Sequence, residues 1–364
     1  MLNQIGNLST YRRIFITGMT GCGKTTLAEA VSEKSEHQLD ILDFDTLYCY
    51  SNPSIDAVYS AMEGSENFVI DALPLDGTEE CAKRLLGLLD SDPEKTAVVL
   101  VLCDKTTWIE SRIPEKRKLA GYTGLKTDEV ALYHFDEFHS GPASVVSTLS
   151  RLLERTSVPT FVYHSVSGKL ECLNWSDHQK RAERLLQMLE SASYDKNYQN
   201  IDFLGKKGYD DSAPSWEKMK QMPVSFHGKT VCDLGCFHGF YSIKAALSGA
   251  SRVIGLDRSS EMLEVSGLIA QCSGVDAEFE VWEGGQPTPE CDIALVLNML
   301  HHCPDQARTL ENIRCKEAIF EINQEQLPLV SEYFDLVDVR QGREYPSRPA
   351  RLLVAGTKKL TKAS

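Results

Sequence analysis

The stretch GMTGCGKTT, Gly18 to Thr26, satisfies the pattern G-x-x-x-x-G-K-[ST] at every defined position. Glycines at 18, 21 and 23 let a backbone fold tightly enough to aim successive N–H groups at one anion, and a helix beginning beyond them adds the positive end of its dipole. The flanks agree with this. RIFITG (13–18) enters the loop as a short apolar strand, and TTLAEAVSEKSE (25–36) leaves it with Leu27, Ala30 and Val31 on one helical face. Gly18, Gly21, Gly23, Lys24, Thr25 and Thr26 are therefore the candidates for holding the phosphates of ATP, with Lys24 reaching the outer two. Thr25 offers a hydroxyl to Mg²⁺, and a carboxylate at a strand end must hold that ion's water shell. Asp71, closing NFVID, is the candidate.

About two hundred residues further on, DLGCFHGFYS (233–242) is a second glycine-bearing loop between an apolar run and a helical one. Two such loops in 364 residues suit two domains, since single cores rarely exceed about 200 residues. Ahead of the second loop, LDILDF (39–44), NFVIDAL (67–73), AVVLVLC (97–103) and VPTFVYH (158–164) read as buried parallel strands with room for crossover helices, VPTFVYH being the last. Around and after it run TVCDLG, YSIKAALSGA, SRVIGLD, AEFEVWE, CDIALVLN, EAIFEIN and RLLVAGTKK. The polar helix SDHQKRAERLLQMLESAS (176–193) joins the two series. The expectation is an α/β protein of two doubly wound sheets: a domain over 1–175, a helical linker over 176–193 and a domain over 194–364.

Composition narrows the partners. Hydrophobic content of 42% and charged content of 25% are ordinary for a globular chain, and no apolar run approaches the ~18 residues that cross a bilayer. The opening MLNQIGNLSTYRRIF lacks the pattern of an export signal, so a cytoplasmic location without membrane contact is expected. Eleven scattered cysteines then read as free thiols, and neither Cys232 and Cys236 nor His301, His302 and Cys303 have structural-zinc spacing. A net charge of −14 repels a long polyanion, making extended nucleic acid the less favoured partner.

Residues 12–175 resemble the small P-loop kinases of the nucleoside and nucleotide kinase type. FVIDALPLDGTEECAKRLLGLL (68–89) is similar to their strand ending in Asp before a proline-containing turn, and RLLERTSVPTFVYHSVSGKLECLN (151–174) to their closing helix and strand. The resemblance implies ATP-dependent phosphoryl transfer. The arginine-rich lid repeat of that family is missing, and SRIPEKRK (111–118) is the substitute, with Arg112 and Arg117, beside Lys116, either neutralising charge on the transferred group or forming only a solvated basic helix. Asp43 and Asp45, in LDFDTLY, stand where such kinases place an acid that receives the acceptor's proton. Asp45 is preferred, and a helix cap is the other role open to the pair.

VCDLGCFHGFYS resembles the first motif of class I S-adenosylmethionine-dependent methyltransferases, D/E-x-G-x-x-x-G, through Asp233, Gly235 and Gly239. The likeness extends over about 195–358. It implies a Rossmann-like domain in which Asp257, closing SRVIGLD, accepts from the ribose hydroxyls, Glu283 lies near the adenine and Asn298 lies beside the transferable methyl group. His302, or its neighbour His301, could act as base toward an oxygen acceptor or serve only structurally. Tyr194, Tyr198 and Gly205 belong to a segment that often closes over cofactor and acceptor in small-molecule relatives, linker packing being the other reading.

The function expected is a bifunctional kinase–methyltransferase acting on one small-molecule, glycan-precursor or nucleotide-like acceptor. Modification of a nucleic acid, and a methyltransferase controlled by an ATP-binding module, are the alternatives. The oligomeric state is left open.

Overall fold

The structure, a computed structural model, describes residues 4–48, 54–119, 124–139, 144–193, 195, 198–209, 211–342 and 350–359. It is an α/β molecule of two compact units, 1–183 and 184–364. The division falls inside the helix Trp175–Ser191.

In the first unit β1 (Arg13–Gly18), β2 (Asp40–Leu42), β3 (Phe68–Ile70), β4 (Thr96–Leu102), β5 (Thr160–His164) and β6 (Lys169–Cys172) form one sheet in the order β2-β3-β1-β4-β5-β6. All pairs are parallel except β5 with β6. The period of two divides β1 and β4 between two cores. Ile14, Ile16, Val99 and Val101 pack on one face, while Phe15, Val98 and Leu100 pack on the other. Every residue of β4 is buried, as a strand covered on both faces requires. The chain moves to one side of β1 for β3 and β2 and to the other for β4, so the carboxyl end of β1 is the point where a ligand crevice opens.

Two strand expectations change. VPTFVYH is not the last strand, because Gly168 at φ 74° turns the chain back into β6. LDILDF is extended only over β2, because Phe44 already begins the short helix α2 (Phe44–Tyr48).

The second unit holds β7 (Thr230–Leu234), β8 (Arg252–Asp257), β9 (Glu278–Val281), β10 (Cys291–Leu297), β11 (Cys315–Ile322), β12 (Phe334–Gln341) and β13 (Leu352–Lys358), in the order β12-β13-β11-β10-β7-β8-β9. β7 through β11 pair parallel, and β13 runs antiparallel to both β11 and β12. Cys232, Leu234, Ile254, Ala294 and Val296 fill one face, and Val231, Val253, Ile293 and Leu295 the other. Here too the strand order reverses at the first strand, between β7 and β10. Among the described residues, no helix is long and apolar enough to cross a membrane.

Candidate functional site

At the carboxyl end of β1, Gly18 has φ 151°, and a Cβ on it would meet the Val101 carbonyl oxygen at 2.6 Å and Cys22 Sγ at 2.8 Å. No larger residue fits between this loop and β4. Gly23, at φ 108°, hands the chain into helix α1 (Lys24–Lys34), whose first turn has no side-chain cap. The leading N–H groups of α1, at Lys24, Thr25 and Thr26, thus keep their donors for an anion. Trp108 Nε1 donates to the Thr20 carbonyl at 2.8 Å and pins the loop from outside. Lys24 Nζ arches back to donate to the Met19 carbonyl at 3.0 Å.

Thr25 Oγ1 donates to Asp71 Oδ2 at 3.2 Å, while Asp71 Oδ1 accepts from the Phe44 N–H at 3.0 Å. One carboxylate therefore ties the end of β3 to α1 and α2. Asp43 accepts from the Thr46 N–H at 2.7 Å and caps α2, leaving Asp45 exposed in its first turn.

Burial pushes the Cys22 thiol up to about 11, moderated by Lys24 and, more weakly, by Arg112. Cys22 is thus a packed thiol, and Arg112 stands close enough for its charge to reach the loop. Lys116 Cγ lies 3.7 Å from where a Cβ on Gly21 would sit. Arg117 turns elsewhere, donating to the Leu125 carbonyl at 2.8 Å and to Asp128 Oδ1 at 2.6 Å. Uncapped donors, Lys24 and the Thr25–Asp71 pair make an arrangement that fits a polyphosphate and the divalent ion it carries.

In the second unit a cavity of about 600 Å³ opens over the carboxyl ends of β7, β8, β10 and β11. Gly235, at φ 70°, forms part of its floor, and a Cβ there would stand 2.8 Å from Met299 Cβ. Asp257 Oδ2 accepts from the Phe237 N–H at 3.2 Å and Oδ1 from the Ser259 N–H at 3.0 Å, so both oxygens are held at the cavity wall. Glu283 is exposed on the rim. Gly239 starts the helix Phe240–Leu247.

Asp233 lies behind the loop rather than in the cavity lining. It is 1% exposed and accepts from Ser242 Oγ at 2.7 Å. Burial pushes its carboxyl up to about 6, against the pull of that hydrogen bond.

Asn298, at φ 54°, donates its backbone N–H to the Glu321 carbonyl at 2.9 Å. Its Nδ2 donates to Tyr198 OH at 2.6 Å, and its buried Oδ1 has no hydrogen-bond partner among the described residues. Tyr198 meets Tyr209 and Phe237 edge-on, with centroids 5.6 and 5.1 Å away, which draws the upstream segment onto the cavity. Tyr194 falls outside the described residues. His302 lines the cavity and His301 does not; their rings lie 4.0 Å apart. Partial desolvation, then the charges of Arg258 and Arg351, lower the basicity of His302. An orphaned buried amide oxygen, a carboxylate held with spare acceptor capacity and a floor that admits no side chain together fit a nucleoside with a polar tail.

Several cavity residues escaped the sequence reading. Gln199 is 6% exposed and accepts from the Phe240 N–H at 3.4 Å through Oε1. Glu321, 2% exposed, accepts from Ser215 Oγ at 3.2 Å, and Tyr241 and Arg258 also line the cavity. The signal for Glu321 was its place near the end of EAIFEIN, paired in register with Leu297, the residue before Asn298.

Residues 225–343 match the family model described as Methyltransferase domain. Ubiquinone biosynthesis O-methyltransferase of Pseudomonas putida (strain W619) is 36% identical over 91 residues, 24% of this chain and 39% of that protein. Ribosomal protein L11 methyltransferase of Alteromonas mediterranea is 33% identical over 73 residues, 20% of this chain and 25% of that protein. The chain thus spans well under half the length of these curated relatives. A solved S-adenosylmethionine-dependent methyltransferase from Mesorhizobium loti aligns with TM-score 0.35 and 19% identity over 41% of this chain and 99% of that one. N-methyltransferase NodS from Bradyrhizobium japonicum, in complex with S-adenosyl-L-homocysteine, aligns with TM-score 0.37 and 11% identity over 49% and 98%. The C-terminal unit carries a methyltransferase domain on a Rossmann-like sheet.

Proposed function

We propose that the chain is a cytoplasmic two-step transferase, an ATP-dependent kinase joined to an S-adenosylmethionine-dependent methyltransferase, acting on one small-molecule, glycan-precursor or nucleotide-like acceptor. The observation that carries it is a shared construction. Each glycine loop ends against a carboxylate from another strand end, Asp71 beside Thr25 and Asp257 beside Phe237.

In the first unit Lys24 and the α1 N-terminus bind the phosphates, Thr25 and Asp71 hold Mg²⁺, and Arg112 adds charge against the transferred group. Asp45 takes the acceptor hydroxyl's proton. ATP supplies the phosphoryl group and leaves as ADP.

In the second unit Asp257 accepts from the ribose hydroxyls, Glu283 borders the base, Gly235 makes room for the methionine portion and Asn298 lies next to the reacting centre. S-adenosylmethionine supplies an electrophilic methyl group when bound and departs as S-adenosylhomocysteine. His302, kept neutral near pH 7 by its lowered basicity, can receive the proton of a hydroxyl acceptor.

The test is incubation of the intact chain with both cosubstrates and a cell extract, followed by mass spectrometry for gains of ~80 and ~14 mass units, the phosphoryl and methylene increments expected of the two reaction classes. Gains lost separately in Lys24→Ala and Asp257→Ala support the two assignments. ATP consumption that needs no acceptor would replace the kinase half with a regulatory module.

A further inference from the structure

The carboxyl edge of the second sheet holds a cationic corner built from Arg351 and Arg258. Arg351 is 4% exposed, and its one hydrogen bond among the described residues runs from Nη1 to the amide oxygen Oδ1 of Asn323. A guanidinium has five N–H donors, and burying its charge opposite a neutral amide alone is unfavourable. A group so placed suits an anionic ligand that arrives from outside.

The register gives its location. Ile322 faces Leu352, so Arg351 and Asn323 sit just past the end of β11, beside Glu321. Asn298, at the end of β10, is bonded to the Glu321 backbone, and His302 follows four residues later. On the other flank Arg258 follows Asp257, is exposed, lines the same cavity as His302 and has no hydrogen bond or ion pair among the described residues. Both arginine charges reach the His302 imidazole. The carboxylates of this cavity are Asp195, Asp257, Glu283 and Glu321, and none pairs with either arginine among the described residues.

We propose that Arg351 and Arg258, grouped around His302, form an anion subsite for the methyl acceptor, which therefore carries a phosphate or carboxylate group. The proposal rests on the methyltransferase role of this unit. Guanidinium forks match both groups, and a phosphate monoester near pH 7 brings about −1.5 to −2 charge on three oxygens. Where the anion is a phosphate, the reaction class that supplies the substrate is phosphoryl transfer to a hydroxyl, the class proposed for the first unit.

The test uses the intact chain saturated with S-adenosylhomocysteine, whose binding is measured first by calorimetry. The imidazole resonance of His302, identified by its loss in His302→Asn, is then titrated with pH, with and without inorganic phosphate and, separately, acetate. This resonance reports on the second unit alone, whatever phosphate does at Gly18–Thr25.

An anion that neutralises the arginines should raise the His302 pKa. Arg351→Gln should weaken that response about tenfold or more, the scale of a charged hydrogen bond. Arg258→Gln, at an exposed position that leaves folding intact, should weaken it several-fold. A larger response to phosphate assigns a phosphorylated acceptor, and a larger response to acetate assigns a carboxylate. The proposal is overturned if S-adenosylhomocysteine binds while neither anion moves His302, or if both variants respond as the wild type does. Failure of S-adenosylhomocysteine to bind would strike the methyltransferase role instead.

Discussion

Replacing Asp257 with alanine probes the contact on which the proposed cofactor binding rests. Each of its oxygens already accepts one backbone N–H, from Phe237 at 3.2 Å and from Ser259 at 3.0 Å. An ionised carboxylate has about four acceptor positions, so about two remain toward the cavity, the number a ribose diol needs. Hydrogen bonds to a charged group contribute about 1.5–3 kcal/mol, which predicts a loss of roughly 10–100-fold in affinity for S-adenosylhomocysteine. Ligand at about 100 times the wild-type Kd stabilises the fold by about 2.7 kcal/mol, and in the variant that gain should shrink to about 0.4–1.4 kcal/mol. Urea unfolding with and without ligand, supported by calorimetry, reads both quantities. Asp257→Asn keeps one acceptor oxygen but sets an NH₂ against one of the two N–H donors, so its affinity should fall between the other two. An alanine variant that is folded, cooperative and unchanged in its Kd would refute the ribose contact.

Lys24→Ala should abolish phosphoryl transfer while leaving S-adenosylhomocysteine affinity unchanged, because Lys24 belongs to the first unit; undiminished transfer in a radiolabelled ATP assay would remove Lys24 from the site. Burial holds His139 and His178 down to about 3, so the unfolded chain takes up their protons first as pH falls from about 6.5. Stability is then fully present above about pH 6.5 and falls toward pH 3, by about 2–3 kcal/mol per histidine at pH 4.5; urea midpoints of His139→Gln and His178→Gln that decline with acid as steeply as the wild type's would contradict this. Tyr198→Phe strips the Asn298 amide of its one side-chain hydrogen bond among the described residues and should lower the urea midpoint by the equivalent of about 1–3 kcal/mol, with an unchanged midpoint showing that the bond contributes nothing to the fold.

The parts of the molecule legible in its sequence are those whose geometry is local. Gly18, Gly23 and Gly235 are demanded by backbone angles and close approaches within a few residues of themselves, so a pattern of residue types exposes them. Alternating strands and helices announced two α/β units for the same reason. A cap and a reactive acid, by contrast, look alike in sequence. Asp43 shows itself as a cap through the hydrogen bond it accepts from the Thr46 N–H, and Arg117 is drawn to Asp128 eleven residues on. β6 depended on a single glycine turn within a stretch read as the end of the sheet.

The walls of the cavity in the second unit needed a different kind of reading. Gly235, Asp257, Asn298 and Glu321 lie at or beside the carboxyl ends of β7, β8, β10 and β11, and all four line one cavity. Parallel pairing makes this automatic, because every parallel strand delivers its last residue to the same edge of the sheet. Once the strands are recognised as parallel, the end of EAIFEIN has the same claim to the site as the ends of SRVIGLD and CDIALVLN. Arg351 escapes even that rule. It reaches the same edge at the start of an antiparallel strand, so its position follows from the pairing of β13 with β11 and from nothing in its own sequence neighbourhood.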